Sequence, residues 1–244
     1  LTKFLEETEK GSHGDHWASV FGFDDLIEKK VYESFDDLEL EKIIKRDTRI
    51  YRAKYGLLSG LGIEVDEKII TFYPSLDSSK NIPVTVKSIL EWKHSYKKEA
   101  QIIGSGRDEF ALNFFATDYA ENREKYIKGG VLNIALVGFA YIIDSDEIQD
   151  VDYTIFSKEF CVYLPSSTLD TGYDFDFIGQ VVDDSKNVKY NKEEMLFFDV
   201  KLINNDEFSF ILPMVVNPKN MRVDSIKKGD MISGCFWLQG RISE

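Results

Sequence analysis

Three side chains able to hold a metal or move a proton fall within four residues: His13, Asp15 and His16, in the stretch Gly-Ser-His-Gly-Asp-His (11–16). Imidazoles and a carboxylate are sound ligands for zinc or a similar ion. The chain has only three histidines, so a closed site would need His94 or a distant carboxylate to complete it. An exposed polar arm explains the same residues without a ligand. That reading is taken here, and neither a metal nor a cofactor is expected.

Nucleophilic chemistry has less to work with. Cys161 and Cys235 lie in the apolar runs FSKEFCVYLP (156–165) and MISGCFWLQG (231–240). Burial in such runs raises a thiol's pKa and makes it inert. Two cysteines so far apart do not make a disulfide framework, so two buried free thiols in a reducing compartment are expected. No nucleophile elbow, Walker lysine or His-Glu-x-x-His motif occurs in the sequence. The 43 acidic residues leave acid–base work by a carboxylate pair open, but their abundance means that no pair stands out. The glycines of GLLSGLGIEV (56–65) and GSG (104–106) precede strands rather than helices. They read as hairpin turns, not as phosphate cradles.

Binding chemistry has two candidates. EWKHSYKKEA (91–100) sets Trp92 and Tyr96 among Lys93, Lys97 and Lys98. Rings beside cations suit single-stranded nucleic acid. IKKGDMISGCFWLQGRI (226–242) divides by strand alternation into two faces. Ile232, Phe236, Leu238 and Ile242 make a core face. Trp237, Gln239 and Arg241 make a mixed face of the kind favoured at binding hot spots. The alternative is that Trp237 packs beneath a neighbouring helix or module.

The whole chain limits these options. Its 244 residues are 43% hydrophobic and 14% aromatic, enough for a real core and against global disorder. The net charge of −13 argues against a grip on phosphate backbones, which needs a basic face. It suits a soluble cytoplasmic protein or one with a basic partner. No apolar run reaches the length of a membrane span, so no membrane partner is expected. The first residues also lack the apolar stretch of a signal peptide.

The elements that must position these residues follow from periodicity. Helices are expected over 24–35 and over 34–47, where Ser34, Asp36 and Asp37 precede Leu38, Leu40, Ile43 and Ile44. From residue 48 strands take over, with a hairpin at Asp66-Glu67 and another across 102–116. A short helix is expected after Thr117 or Asp118, followed by a central strand over 131–143 that is apolar on both faces. Strands are expected again at 156–165, 173–182, 195–203 and 207–216. Residues 110–143 and 208–242 share an order: strand, polar connection, Ile-Lys-Gly-Gly or Ile-Lys-Lys-Gly-Asp, then a long apolar strand. Their spacing of roughly 100 residues suggests two related modules.

From 173 to 242, three strands, a short helical connection and KKGDMISGCFWLQGRI resemble the element order of the OB-fold barrel. Residues 84–143 resemble it less fully. Five strands would then require strand 156–164, or a bent 230–242 that serves twice. The resemblance implies one open face that binds oligonucleotide, oligosaccharide or protein.

The expected architecture is a β-dominated α+β fold. A helical region over 1–47 packs on a β-rich module over 48–150, and an OB-like module over 151–244 follows a boundary near 144–152. The expected function is non-enzymatic binding or regulation, with a protein partner held on a barrel face. Single-stranded nucleic-acid binding and carboxylate-based hydrolysis are the alternatives.

Overall fold

A computed structural model describes residues 5–9, 11, 13–23, 25–78, 80–107, 110–145, 161–166, 169, 171–204 and 208–243. Strand β1 (Leu5–Thr8) leads into a 3-10 turn at Asp15–Trp17, then α1 (Ala18–Phe21) and α2 (Ile27–Phe35). Next, β2 (Glu39–Lys45), β3 (Thr48–Tyr55), β4 (Leu58–Val65) and β5 (Lys68–Leu76) make a four-stranded antiparallel meander. Asp66 and Glu67 both take positive φ, 49° and 62°, as the expected two-residue hairpin demands.

Helix α2 lies inside the helix expected over 24–35, but the helix expected over 34–47 is a strand. Residues 39–45 pair with β3 through a register broken by two bulges. Leu40 and Ile43, which a helix would have buried, are 51% and 61% exposed. The apolar spacing mimicked a helix, and pairing with the strong β-former β3 overrode it.

The remaining strands join one mixed eleven-stranded sheet that also includes β1. They are β6 (Asn81–Trp92), β7 (Ala100–Ser105), β8 (Ala111–Ala116), β9 (Gly130–Ser145), β10 (Val162–Pro165), β11 (Asp174–Val181), β12 (Lys186–Tyr190), β13 (Glu193–Asn204), β14 (Ser209–Val216) and β15 (Met231–Ile242). Helix α3 (Tyr119–Lys128) joins β8 to β9, and a 3-10 turn at Pro218–Asn220 opens the link from β14 to β15. The protein is thus β-dominated, with few helices, one large mixed sheet and one small sheet. Among the described residues, no helix is long and apolar enough to cross a membrane.

Two halves of the large sheet have matching connections. β6, β7 and β8 pair antiparallel in sequence, as do β11, β13 and β14. β6 runs antiparallel to β9, and β11 antiparallel to β15. Each half then crosses over, because β8 pairs parallel with β15 and β14 parallel with β9. The long strands β9 and β15 pair with each other, Phe139 opposite Trp237. One edge of β15 is therefore divided, β11 taking 231–237 and β8 taking 239–240. This strand serves twice, one of the two arrangements that the strand count left open. A bulge at Cys235/Phe236 makes the bend. Gly234 beside it has no room for a side chain, since a Cβ there would lie 2.0 Å from the Ile142 carbonyl oxygen. Most of the expected boundary at 144–152 lies outside the described residues, and strands from either side of it share this sheet.

The alternation of β9 and β15 feeds two cores. Ile134, Leu136 and Ala140, with Phe236 and Leu238, face the first, which is enclosed by β6–β8 and β11–β14. Val137, Phe139 and Tyr141, with Trp237, face the second, which lies against the small sheet and the N-terminal segment. Buried Asn217 and Asn220 fasten α1 to the large sheet by donating to the Val20 and Ala18 carbonyls at 2.6 and 2.9 Å.

Candidate functional site

The second core explains the histidines. His16 is buried with its ring stacked on Trp237, centroids 3.7 Å apart and planes 7° from parallel. Its Nδ1 lies 2.8 Å from Nδ1 of His13, whose Nε2 meets the buried Glu99 carboxylate at 2.6 Å. Thr71 donates to the same Glu99 oxygen at 2.9 Å. The rings of Tyr73, Trp92 and Phe115 close around His13 at 4.8 to 5.1 Å. Burial holds the His16 pKa well below the ordinary imidazole value, and the neighbouring His13 adds to the effect. His16 is therefore a neutral ring. His13 Nε2 carries a proton because its partner is a carboxylate, and one of the two Nδ1 atoms donates to the other. His13 and His16 pack inward rather than standing on an exposed arm, although Gly14 and Asp15 between them are exposed. The two histidines form a wedge that pins the N-terminal segment to the large sheet. Among the described residues, no three His, Cys, Asp or Glu side chains converge as a metal set.

The mixed face of β15 lies under this wedge. Trp237 is fully buried, as the packing alternative required, and so is unavailable to a partner. Gln239 is buried as well, its amide donating to the Pro74 carbonyl at 2.6 Å. Arg241, half-buried, pairs with Asp77 at 3.0 Å. The face is amphipathic because it supports the small sheet, not because it meets solvent. The patch at 91–100 also divides. Trp92 points inward and is 1% exposed, and Lys93 pairs with Glu9 at 3.0 Å. Tyr96 stands in solvent, 64% exposed. The cysteines are free but only half-buried, and burial first, then nearby Asp176 and Asp174, push the Cys235 thiol up to about 12.

Beside the wedge, the large sheet carries a cleft of about 470 Å³. Gln101 of β7, Asn113 of β8 and Tyr141 of β9 line it, together with Asp15, His16, Thr171 and Asp174. Tyr141 donates to one oxygen of Asp174 at 3.0 Å, and the Thr171 hydroxyl donates to the other. Burial raises the Asp174 pKa to about 6, against those two hydrogen bonds, and Asp15 and Asp176 add like charge. Among the described residues, the lining includes two aspartates and no lysine or arginine, and its one histidine is neutral. Near neutral pH this is a negatively charged cleft, walled partly by the Tyr141 and Tyr173 rings. Such a site suits an organic cation. The carboxylates attract it, and the ring faces accept it.

The cleft was not legible in the sequence, because its residues come from positions 15, 101, 113, 141, 171 and 174 on five separate segments. The one available signal was the pair Thr171 and Asp174 flanking Gly172 at the entry to β11. Compared with known protein families, curated proteins and solved structures, the chain finds no match in any of the three.

Proposed function

We propose that this chain is a non-enzymatic binding protein that receives a basic side chain of a protein partner in the cleft between the N-terminal wedge and the barrel wall. One observation carries this reading. A cleft of about 470 Å³ holds Asp15 and Asp174, and among the described residues no lysine or arginine lines it. The net charge of −13 favours the approach of a basic partner over the same distances. A face of OB-like element order serves oligonucleotides, oligosaccharides or proteins, and the carboxylates here favour the protein. The two free cysteines fit a reducing, cytoplasmic setting.

Titrating the protein with the tripeptide Gly-Arg-Gly while following backbone amide resonances tests the reading. Saturable shifts are expected at Gln101, Tyr141 and Tyr173, and Asp174→Asn is expected to weaken them by at least about tenfold. An equal response to Gly-Glu-Gly, or shifts confined to other surfaces, would refute the proposal.

A further inference from the structure

A second cleft, of about 480 Å³, lies between α3 and the turn that joins β6 to β7. Its charge is opposite to that of the first. Five cations line it, Lys45, Lys97, Lys98, Arg123 and Lys125, against two carboxylates, Glu121 and Glu124. Lys97 is paired with Glu7, Arg123 with the buried Glu91, and Glu121 with Lys42 from outside the cleft. Lys45, Lys98 and Lys125 have no acidic partner among the described residues. In a chain with 13 more negative than positive charges, three unpaired cations around one concavity run against the general trend.

Two further observations give the cleft a shape. Arg123 is held from behind, its Nε donating to Glu91 at 2.6 Å, and Glu91 also accepts from Tyr119 at 2.7 Å. With its Nε anchored on Glu91 and the Tyr119 hydroxyl also bonded to it, the guanidinium is held in one orientation at the cleft. Tyr96 and Lys97 at the opposite lip both take left-handed backbone, φ 53° and 61°. A two-residue hairpin explains the same geometry at Asp66-Glu67. Here the seven-residue turn from Lys93 to Glu99 is closed by the Tyr96 and Lys97 N–H groups, which donate to the Lys93 and Trp92 carbonyls at 3.1 and 3.2 Å, so the turn itself places Tyr96 in the left-handed region. An aromatic residue is costly in that region, and such costs gather where a side chain must be presented. The ring presented is the 64% exposed Tyr96.

We infer that this cleft binds a phosphorylated nucleoside, either free or as one unit of a single strand. The phosphate sits among Lys98, Arg123 and Lys125, and the base stacks on Tyr96. Cations fix the phosphate and a ring accepts any base, the pairing that single-strand binders use. This site is separate from the acidic cleft and stands whether or not that cleft binds a basic partner.

The test is a set of low-salt titrations of the full chain with inorganic phosphate, adenosine monophosphate and a short oligothymidylate, followed by amide resonances of α3 and the 93–99 turn. The nucleotide is expected to bind more tightly than phosphate. Lys98→Gln with Lys125→Gln should weaken all three by about tenfold, while the matched loss of two charges at exposed Lys54→Gln with Lys68→Gln has no effect. Tyr96→Ala should weaken the nucleotide and leave phosphate unchanged. A tighter oligothymidylate would identify the source as a strand, and equal affinity would identify a free nucleotide. Absence of saturable binding by every probe would overturn the inference. So would insensitivity to the double lysine change, or nucleotide affinity no better than that of phosphate.

Discussion

Two clefts of nearly equal volume, about 470 and 480 Å³, carry opposite charge on one molecule. The acidic one is built on the wall of the large sheet, and its Asp174 is held by the Tyr141 and Thr171 hydroxyls. The basic one is built from a helix and a turn, and only Arg123 among its cations is anchored from within. The pair shows that net charge speaks for long-range attraction and not for any one concavity. A chain at −13 can still concentrate positive charge wherever its acids are already occupied by partners.

The largest expected effect separates the two clefts by their supports. Trp237→Ala removes the platform under His16 and should destabilise the protein by about 4 kcal/mol in urea unfolding. It should also abolish the response to Gly-Arg-Gly while nucleotide affinity at the basic cleft persists. Simultaneous loss of both would mean that the clefts form a single cooperative unit. The second effect depends on pH. Because the Asp174 value, about 6, lies above the ordinary 3.8, the folded protein holds that proton more tightly than the unfolded chain does. Its contribution to stability is therefore full below about pH 4 and is lost as pH rises through about 6. Asp174→Asn should gain on the natural chain by about 2 kcal/mol between pH 4 and pH 7, measured by urea unfolding at both. An unchanged difference would show that the carboxylate is better solvated than its burial indicates.

On the basic side, Glu91→Gln removes the charge that anchors Arg123 and should cost about 2 kcal/mol. Thermal unfolding would measure that cost, and faster side-chain relaxation of Arg123 should accompany it. The smallest effect has the opposite sign. Tyr96→Asn keeps the left-handed backbone at lower strain and should stabilise by about 0.5 kcal/mol while removing the stacking surface. A destabilised variant would show that the Tyr96 ring packs on its own chain.

Much of the framework was legible. Leu196, Phe198, Val200 and Leu202 alternate and face one core, as do Leu112 and Phe114. Residues 131–143, apolar on both faces, form the central strand whose two faces feed two cores. Elements with weak patterns were read poorly. β12 was missed because only Tyr190 of its five residues is buried, so polar Lys186–Lys189 look like a loop. The two faces of β15 were separated correctly, but nothing local says that His16 covers Trp237. Both clefts depend on side chains brought together by pairing between distant strands, and one sequence carries no signal of that. Of the basic patch read at 91–100, Tyr96, Lys97 and Lys98 line the second cleft, while Trp92 turns inward, and the opposite wall is the Ala120–Lys125 segment of α3.

The crossing of β8 to β15 and of β14 to β9 also has a consequence in time. During synthesis, the first half emerges with β8 lacking its outer neighbour, and β9 waits for two. Roughly 90 residues separate β9 from β15, so at 5 to 20 residues per second those edges stay open for about 5 to 20 seconds. Exposed strand edges invite pairing with other chains. The interlock between the two halves thus leaves the nascent chain most vulnerable between the synthesis of β9 and that of β15, and its folding becomes a race against neighbours on the same messenger.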